Sequence, residues 1–306
     1  MPIRAGNIAE PADPKRSRET QAKVNHHFSA RAQYWEQLYV EPTVYGAIHQ
    51  ERHRRALEWI DELGLAEGSR VLEVGCGAGL LAADLARRAF VTDCIDSSDA
   101  MVALTRDRLA RLGGMGRVRV REGDVHSLRF RDSSRDLVVA LGVLPFLHSP
   151  VEALREMARI LKPGGCVVLS SDNRYRLTHC LDPRLTPLLP GRELVKRLVR
   201  RYGRGRNAMG AHAFSFGVLA NMLRGTGFEI RRHASLGFGP FTMFGARLLP
   251  EIMAVPVHRR LQAMADRGIP ILSATGAQHL VLATLTGPEK RRSARGQPER
   301  RSTAKA

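Results

Sequence analysis

Three glycines at alternate positions follow a short apolar segment, and together they form the part of the chain best suited to bind a ligand. Residues 71–79 read VLEVGCGAG, and residues 80–89 have a helical pattern. The apolar segment predicts a buried parallel strand. Glycines let the backbone turn sharply beside a ligand, and the first turn of a helix offers unpaired N–H groups. The order of strand, glycine turn and helix therefore predicts a binding site at the carboxyl end of a strand.

The spacing of the glycines and the acid before them bear on which ligand is bound. The dinucleotide fingerprint is G-x-G-x-x-G, whereas here Leu80 occupies the position of the third glycine. Glu73 lies in the strand, where it disfavours a pyrophosphate and favours a cation with a free amine. The segment resembles the first motif of the class I S-adenosylmethionine (SAM)-dependent methyltransferases, and the resemblance extends over about residues 65–172. An NAD-linked oxidoreductase, a SAM-binding regulator and a nucleic-acid binder remain the alternatives.

Later segments supply the other cofactor-binding candidates. Asp96 ends a predicted strand 21 residues after Gly75 (96 − 75 = 21), where its carboxylate can accept hydrogen bonds from both ribose hydroxyls of SAM or NAD. The resemblance implies that Asp124 binds the adenine amino group, that the backbone of Val125 binds a ring nitrogen, and that Met101 packs on the adenine. The full set of expected cofactor-binding residues is Glu73, Gly75, Cys76, Gly77, Gly79, Asp96, Ser97, Met101, Asp124, Val125 and Leu141.

The segment after the fourth predicted strand indicates the class of acceptor. Residues 141–148 read LGVLPFLH and lack the Asn/Asp-Pro-Pro-Tyr/Phe box of methyltransferases that act on base amines. They are similar to the apolar loop of small-molecule and lipid methyltransferases, such as those of ubiquinone and menaquinone biosynthesis. We therefore expect O- or C-methylation of a small-molecule or lipid-like acceptor. His148 is the candidate general base, and Tyr34, Trp35 and Phe241 are the candidate acceptor contacts.

The pattern of strands and helices predicts a Rossmann-like α/β fold. We expect a doubly wound, mostly parallel sheet of seven strands, with the last strand antiparallel to the sixth. A helical lid precedes it, and two insertions interrupt it. The predicted organisation is disorder over 1–18, lid helices over 19–64, a methyltransferase domain over 65–286 with insertions at about 172–212 and 237–274, and a disordered basic tail over 287–306.

The charge of the chain bears on its binding partners. The chain has 48 Lys and Arg against 30 Asp and Glu, a net charge of +18, and residues 196–206 hold six basic residues and no acid. An amphipathic basic helix there predicts contact with an anionic membrane, although the Arg-rich composition of the whole chain explains the charge equally well. Nucleic acid is not the expected partner.

Cysteine use and the absence of a targeting pattern predict a cytoplasmic protein. The four cysteines form no C-x-x-C pair and have no histidines at zinc-binding spacing, so no metal is expected. The N-terminal residues lack the apolar core of a secretory signal, and no window approaches the ~20 apolar residues of a membrane span.

Overall fold

The computed structural model describes residues 14–113, 115–182, 186, 211–244 and 246–286. Its centre is an eight-stranded sheet in which seven strands follow the order β3-β2-β1-β4-β5-β10-β7, while the short β6 pairs with β5. A separate hairpin is formed by β8 and β9. The strands are β1 (Arg70–Val74), β2 (Val91–Asp96), β3 (Val118–Glu122), β4 (Arg135–Ala140), β5 (Leu161–Asn173), β6 (Ala213–Phe214), β7 (Phe228–Leu236), β8 (Thr242–Met243), β9 (Ala246–Arg247) and β10 (Gln278–Leu285).

Strands β1 to β5 pair with one another in parallel, and β10 is antiparallel to both β5 and β7. This arrangement confirms the predicted class I fold. The apolar run that starts at Cys166 predicts the fifth strand from that residue, whereas the observed strand begins five residues earlier, at Leu161. The early start reflects pairing of Arg135 with Leu161, after which the register shifts so that Leu137 pairs with Cys166. The extra residues of β5, which include the Pro-Gly-Gly sequence, are accommodated in this irregularity.

Helices cover both faces of the sheet and one end of it. They are α1 (Pro14–Ser29), α2 (Ala32–Gln37), α3 (Val44–Glu62), α4 (Leu80–Arg87), α5 (Asp99–Arg111), α6 (Pro150–Ile160), α7 (Leu177–Leu181), α8 (Phe216–Gly225), α9 (Glu251–Asp266) and α10 (Pro270–Thr275). The predicted disordered segment 1–18 overlaps the start of α1. Its remainder, the tail 287–306 and the basic stretch 196–206 lie outside the described residues. Within the described part of the chain, no helix is both long and apolar enough to cross a bilayer.

The core consists of two layers, because side chains alternate across the sheet. In β4, Leu137 and Val139 face one side and pack with Ile60 of α3, while Val138 faces the other side and packs with Met157 of α6. All five residues are fully shielded from solvent. Burial on both faces explains why the parallel strands read as continuous apolar runs. Packing on both faces of the sheet holds β1 next to β4. The carboxyl ends of these two strands border the ligand-binding cleft.

Candidate functional site

A cleft of about 1220 Å³, open to solvent, lies at the carboxyl ends of β1, β2 and β4 and beneath α1 to α3. The chain runs outward from β1 through β2 to β3 and then returns to β4 on the other side of β1. The sheet therefore reverses its direction of winding between β1 and β4. Ligands of open α/β sheets bind at such a switch point, where the loops diverge and leave a crevice.

The three glycines of the loop after β1 serve different purposes. All three have positive φ (68°, 53° and 76°). A Cβ on Gly75 would lie 2.5 Å from Val143 Cγ2, and one on Gly79 would lie 2.9 Å from the Cα of Thr105. A Cβ on Gly77 would meet no atom within 4 Å, because this residue faces the open cleft. Gly75 and Gly79 thus permit close packing, whereas Gly77 leaves room for a ligand.

Asp96, at the end of β2, presents its carboxylate to the cleft beside this loop. Its Oδ2 accepts a hydrogen bond from the Gly77 N–H at 3.0 Å, and its Oδ1 accepts one from the Ser98 N–H at 3.0 Å. Burial raises the pKa of Asp96, and the backbone hydrogen bonds partly oppose that shift. The carboxylate is therefore oriented by backbone groups on both sides, and its remaining lone pairs are available to hydroxyl donors.

Glu73 lies deeper in the cleft on β1 and is only 4% exposed. The Cys94 thiol donates a hydrogen bond to its Oε2 at 3.4 Å, and no cationic side chain pairs with it among the described residues. Burial raises the pKa of Glu73 to about 8, so the carboxyl is protonated at neutral pH. A cation entering the cleft would favour the ionised form.

Helix α1 covers part of the cleft and is hydrogen-bonded to the loop after β2. Asn25 Nδ2 donates to the backbone oxygen of Ser97 at 2.6 Å, and Gln21 Nε2 donates to Ser97 Oγ at 3.0 Å. Phe28 packs edge-on against Phe146, with ring centroids 5.0 Å apart. Helix α1 thereby joins the loops that follow β2 and β4, at the position expected for the N-terminal lid.

The end of the cleft under α2 and α3 is lined by aromatic side chains and by two polar groups that the sequence analysis missed. His49 Nδ1 donates to the backbone oxygen of Tyr45 at 2.9 Å, and burial together with the charge of Arg52 lowers the pKa of His49 to about 3. The imidazole is therefore neutral, with an unprotonated Nε2. Arg52 lies on the apolar face of α3, four residues from both Ile48 and Ala56. The sequence could have indicated this role for Arg52, because it is a charged residue within the apolar stripe of a predicted helix.

Nine of the predicted site residues line this cleft. They are Glu73, Gly75, Cys76, Gly77, Asp96, Ser97, Met101 and Leu141 from the cofactor set, and Trp35 from the acceptor set. Their convergence follows from the parallel pairing of β1 with β2 and β4, which brings the three strand ends together.

Six predicted residues do not reach the cleft wall. Gly79 packs on α5, and Val125 is buried in the core. The Asp124 carboxylate accepts hydrogen bonds from the backbone and Nδ1 of His126 at 2.9 and 2.8 Å, and His126 Nε2 lies 3.1 Å from His148 Nδ1. His148 thus belongs to a chain of polar groups outside the cleft.

The remaining two of the six are acceptor candidates. Tyr34 is 40% exposed, and Phe241 packs between the cores formed around Val44 and Phe238. None of the six belongs to the cleft wall, and the ligand contacts expected of them stay predictions. Among the described residues, no group of three His, Cys, Asp or Glu side chains is arranged to hold a metal.

Comparison with known proteins identifies the domain. Residues 72–169 match the family model described as "Methyltransferase domain". A ubiquinone biosynthesis O-methyltransferase of Alkalilimnicola ehrlichii is 42% identical over 113 residues, which cover 37% of this chain and 45% of the relative. The chain spans about half the length of the first curated relatives that it matches.

Two solved structures have a similar fold at low sequence identity. Magnesium protoporphyrin IX methyltransferase of Synechocystis aligns with a TM-score of 0.59 and 16% identity, covering 87% of this chain and 100% of that one. The [4+2]-cyclase SpnF aligns with a TM-score of 0.58 and 20% identity, covering 87% and 96%. These likenesses concern the fold alone, and the cyclase illustrates that one fold hosts different reactions.

Residues 72–169 match a methyltransferase domain. The fold and the glycine loop are similar to those of the class I SAM-dependent methyltransferases, whose cofactor is SAM.

Proposed function

We propose that this protein transfers a methyl group from SAM to a small-molecule acceptor held in the aromatic end of the cleft. The main observation in support is that a single continuous cleft contains both the residues suited to the cofactor and those suited to the acceptor. At one end it contains the open Gly77 loop with Glu73 and Asp96, and at the other it contains Trp35 and Tyr39. Cofactor and acceptor would therefore lie side by side in one continuous cleft, which alignment of the reacting atoms requires.

The residues at the first end match the chemical groups of SAM. Asp96 would accept hydrogen bonds from the ribose hydroxyls, and Met101 would pack against the adenine. The space over Gly77 would admit the methionine part, with Glu73 near its cationic end. The sulfonium supplies a methyl group with a good leaving group already attached. The chain's own task is then to align the acceptor, exclude water and remove the acceptor's proton.

The second end fits an acceptor with a flat, apolar body. The aromatic rings of Trp35, Tyr39, Tyr45 and Phe146 line it, and such rings bury a large area while holding a ring-shaped ligand in a fixed orientation. A quinone-type acceptor agrees with this lining and with the ubiquinone biosynthesis relative. We propose His49, rather than His148, as the group that accepts the acceptor's proton, because His49 lines the cleft and His148 does not.

Identification of the bound cofactor tests this function. The protein would be purified under non-denaturing conditions, denatured, and its released ligands identified by mass spectrometry. SAM or S-adenosylhomocysteine supports methyl transfer, whereas a nicotinamide dinucleotide would establish the oxidoreductase alternative. Transfer of labelled methyl from SAM would then be measured with phenolic and quinol acceptors.

We also propose peripheral contact between the acceptor end and an anionic membrane. Four apolar side chains near the start of α9 are more than half exposed, namely Phe244, Leu248, Ile252 and Met253. The Val44 N–H donates to Glu251 Oε2 at 2.8 Å, which places this rim beside the start of α3 and hence near Tyr45. Exposed apolar groups with basic residues nearby favour an anionic interface. The sequence analysis assigns the basic charge to residues 196–206, which lie outside the described residues.

Flotation with vesicles tests the membrane proposal. We expect binding to anionic but not to neutral vesicles, with loss of binding when Arg197, Arg200, Arg201 and Arg204 are changed to Gln. Ile252→Ser should weaken binding. Leu112→Ser should not, because Leu112 follows α5 at the opposite edge of the sheet. Protein that stays in the soluble fraction with anionic vesicles at low salt would refute membrane contact.

A further inference from the structure

A third carboxylate lines the cleft, in addition to those of Glu73 and Asp96. It belongs to Asp172, the residue before the last of β5, and its side chain is 29% exposed. The motifs in the sequence give this residue no role. It also lies outside residues 72–169, so the match to the methyltransferase family model does not account for it.

The carboxylate of Asp172 is only loosely held by its neighbours. Arg176 Nη2 lies 3.4 Å from its Oδ2, and Gln278 Nε2 lies 3.4 Å from its Oδ1. Hydrogen bonds between two charged groups are usually ~2.7–2.9 Å long. By contrast, Asp136 near the amino end of β4 accepts a hydrogen bond from Lys162 Nζ at 2.7 Å. Lone pairs on both oxygens of Asp172 therefore remain available to a donor in the cleft.

Asp172 lies on the side of the cleft away from Glu73 and Asp96. The strand order β2-β1-β4-β5 puts β5 two strands from β1 and three strands from β2. At ~4.8 Å between neighbouring strands, these separations are about 10 and 14 Å. Strand β5 also continues past β4, because Leu169 pairs with Ala140 at the end of β4 and Asp172 comes three residues later. The carboxylate thus belongs to the acceptor end rather than to the glycine loop.

The first turns of α3 lie close to Asp172. Burial, and after it the charge of Asp172, raises the pKa of Tyr45 to about 12, so the Tyr45 hydroxyl is neutral. His49 follows Tyr45 by one helical turn and lies on the same face of α3. It also lines the cleft, and it is the proposed proton acceptor. A ligand in this part of the cleft would therefore meet both a carboxylate and an imidazole.

The charges around Asp172 favour an uncharged donor. Arg176 approaches one oxygen of the carboxylate, and Gln278, which approaches the other, also accepts a hydrogen bond from Arg52 Nη1 at 3.4 Å. Two cations thus accompany one carboxylate, while His49 is neutral. An ammonium group would add a third positive charge, whereas a hydroxyl can donate to the carboxylate without one.

We propose that Asp172 binds a second hydroxyl of the methyl acceptor, distinct from the hydroxyl that receives the methyl group. This inference rests on the proposed function, and it describes the acceptor as an aromatic ring with at least two hydroxyl groups. The hydrogen bond to Asp172 would fix the orientation of the ring. His49 would take the proton of the reacting hydroxyl as the oxygen of that hydroxyl gains the methyl group. Asp172 thus determines specificity and contacts the acceptor away from the reacting atoms.

The test compares resorcinol with 3-methylphenol, which has nearly the same shape but carries a methyl group in place of the second hydroxyl. Binding of each to protein saturated with S-adenosylhomocysteine is measured by calorimetry. A hydrogen bond to a charged group predicts a preference of about tenfold or more for resorcinol in the unaltered protein. Asp172→Leu should abolish the preference, and Asp172→Asn should retain part of it. Binding of neither compound, equal binding of both, or the same preference in Asp172→Leu would overturn the proposal.

Two controls test the location and the charge of the donor. Asp136→Asn changes a carboxylate outside the cleft, so it should leave the preference for resorcinol unchanged. Benzylamine, which is an ammonium ion at neutral pH, should bind the unaltered protein more weakly than resorcinol. Loss of the preference in Asp136→Asn, or tighter binding of benzylamine than of resorcinol, would overturn the proposal.

Measurement of cofactor binding separates Asp172 from the cofactor residues. Asp172→Leu should bind S-adenosylhomocysteine within about threefold of the unaltered protein, because the two sites are far enough apart to act independently. Weaker binding of S-adenosylhomocysteine together with an unchanged preference for resorcinol would assign the carboxylate to the cofactor and overturn the proposal. The preference is a ratio of two affinities in one protein, so partial unfolding of a variant does not change it. Failure of S-adenosylhomocysteine to bind the unaltered protein contradicts the proposed function instead, and the comparison of the two phenols without it still tests Asp172.

Discussion

Replacement of Glu73 by glutamine should remove a large part of the pH dependence of this protein's stability in the absence of ligand. The Glu73 carboxyl is 4% exposed on β1, and the Cys94 thiol is its hydrogen-bond donor. Burial raises its pKa from 4.5 to about 8. The folded protein therefore keeps this proton over a range in which the unfolded chain has lost it.

The sign and size of the effect follow from that difference. Between pH 4.5 and 8 the folded state binds more protons, so the free energy of unfolding falls as the pH rises. At ~1.36 kcal/mol for each unit, the contribution of Glu73 falls by about 3 kcal/mol between pH 4.5 and about pH 7. Glutamine is close to the protonated carboxyl in shape and has no such proton to lose. The decline should therefore be absent in Glu73→Gln.

Urea unfolding of both proteins at about pH 5 and at about pH 7.5 measures this difference. Glu51→Gln is the matched control: burial tends to raise the pKa of Glu51, but hydrogen bonds and charge from Arg54 and Arg55 outweigh burial and lower it below 4.5. The stabilising contribution of such a group is lost only as the pH falls below the unfolded pKa, so the change in stability between the two pH values should be the same in Glu51→Gln as in the unaltered protein. An equal pH slope in the unaltered protein and in Glu73→Gln would show that Glu73 is ionised in the fold, and the reasoning would fail.

Three further predictions concern the cleft. Asp96→Ala should lower SAM affinity ~100-fold or more, because two hydrogen bonds to a charged group are lost; calorimetry measures the affinity, and thermal melting confirms the fold. Gly77→Val should abolish SAM binding at a stability cost of ~1–2 kcal/mol from its positive φ, and SAM affinity near that of the unaltered protein would contradict the site. His49→Gln should reduce turnover ~10²–10⁴-fold without changing SAM affinity, while His148→Gln should leave turnover unchanged. The reverse result would assign the role of general base to His148.

The sequence was sufficient for the parts of the site that are local in the chain. The loop after β1 and Asp96 at the end of β2 are defined by a strand and the residues directly after it, so motif and spacing locate them. The parallel sheet then brings them together, which the alternation of strand and helix patterns also predicts.

The acceptor end depends on tertiary contacts that motifs do not describe. Arg52 and His49 reach the cleft because α3 crosses the carboxyl edge of the sheet, and the apolar positions of that helix suggested only core packing. Asp124 has a tertiary context that the motif does not describe, since its Oδ1 accepts hydrogen bonds from the backbone and Nδ1 of His126. Its contact with the adenine amino group stays a prediction.

Calorimetric titration of the unaltered protein with SAM, S-adenosylhomocysteine and NAD⁺ tests the central claim most directly. One cleft that combines the open Gly77 loop with Glu73 and Asp96 predicts a single site per chain for the first two ligands and no binding of NAD⁺. It also predicts that Glu73 releases its proton when cationic SAM binds at neutral pH, which buffers of different ionisation enthalpy detect. Saturable binding of NAD⁺, or no binding of either SAM or S-adenosylhomocysteine, would contradict the account.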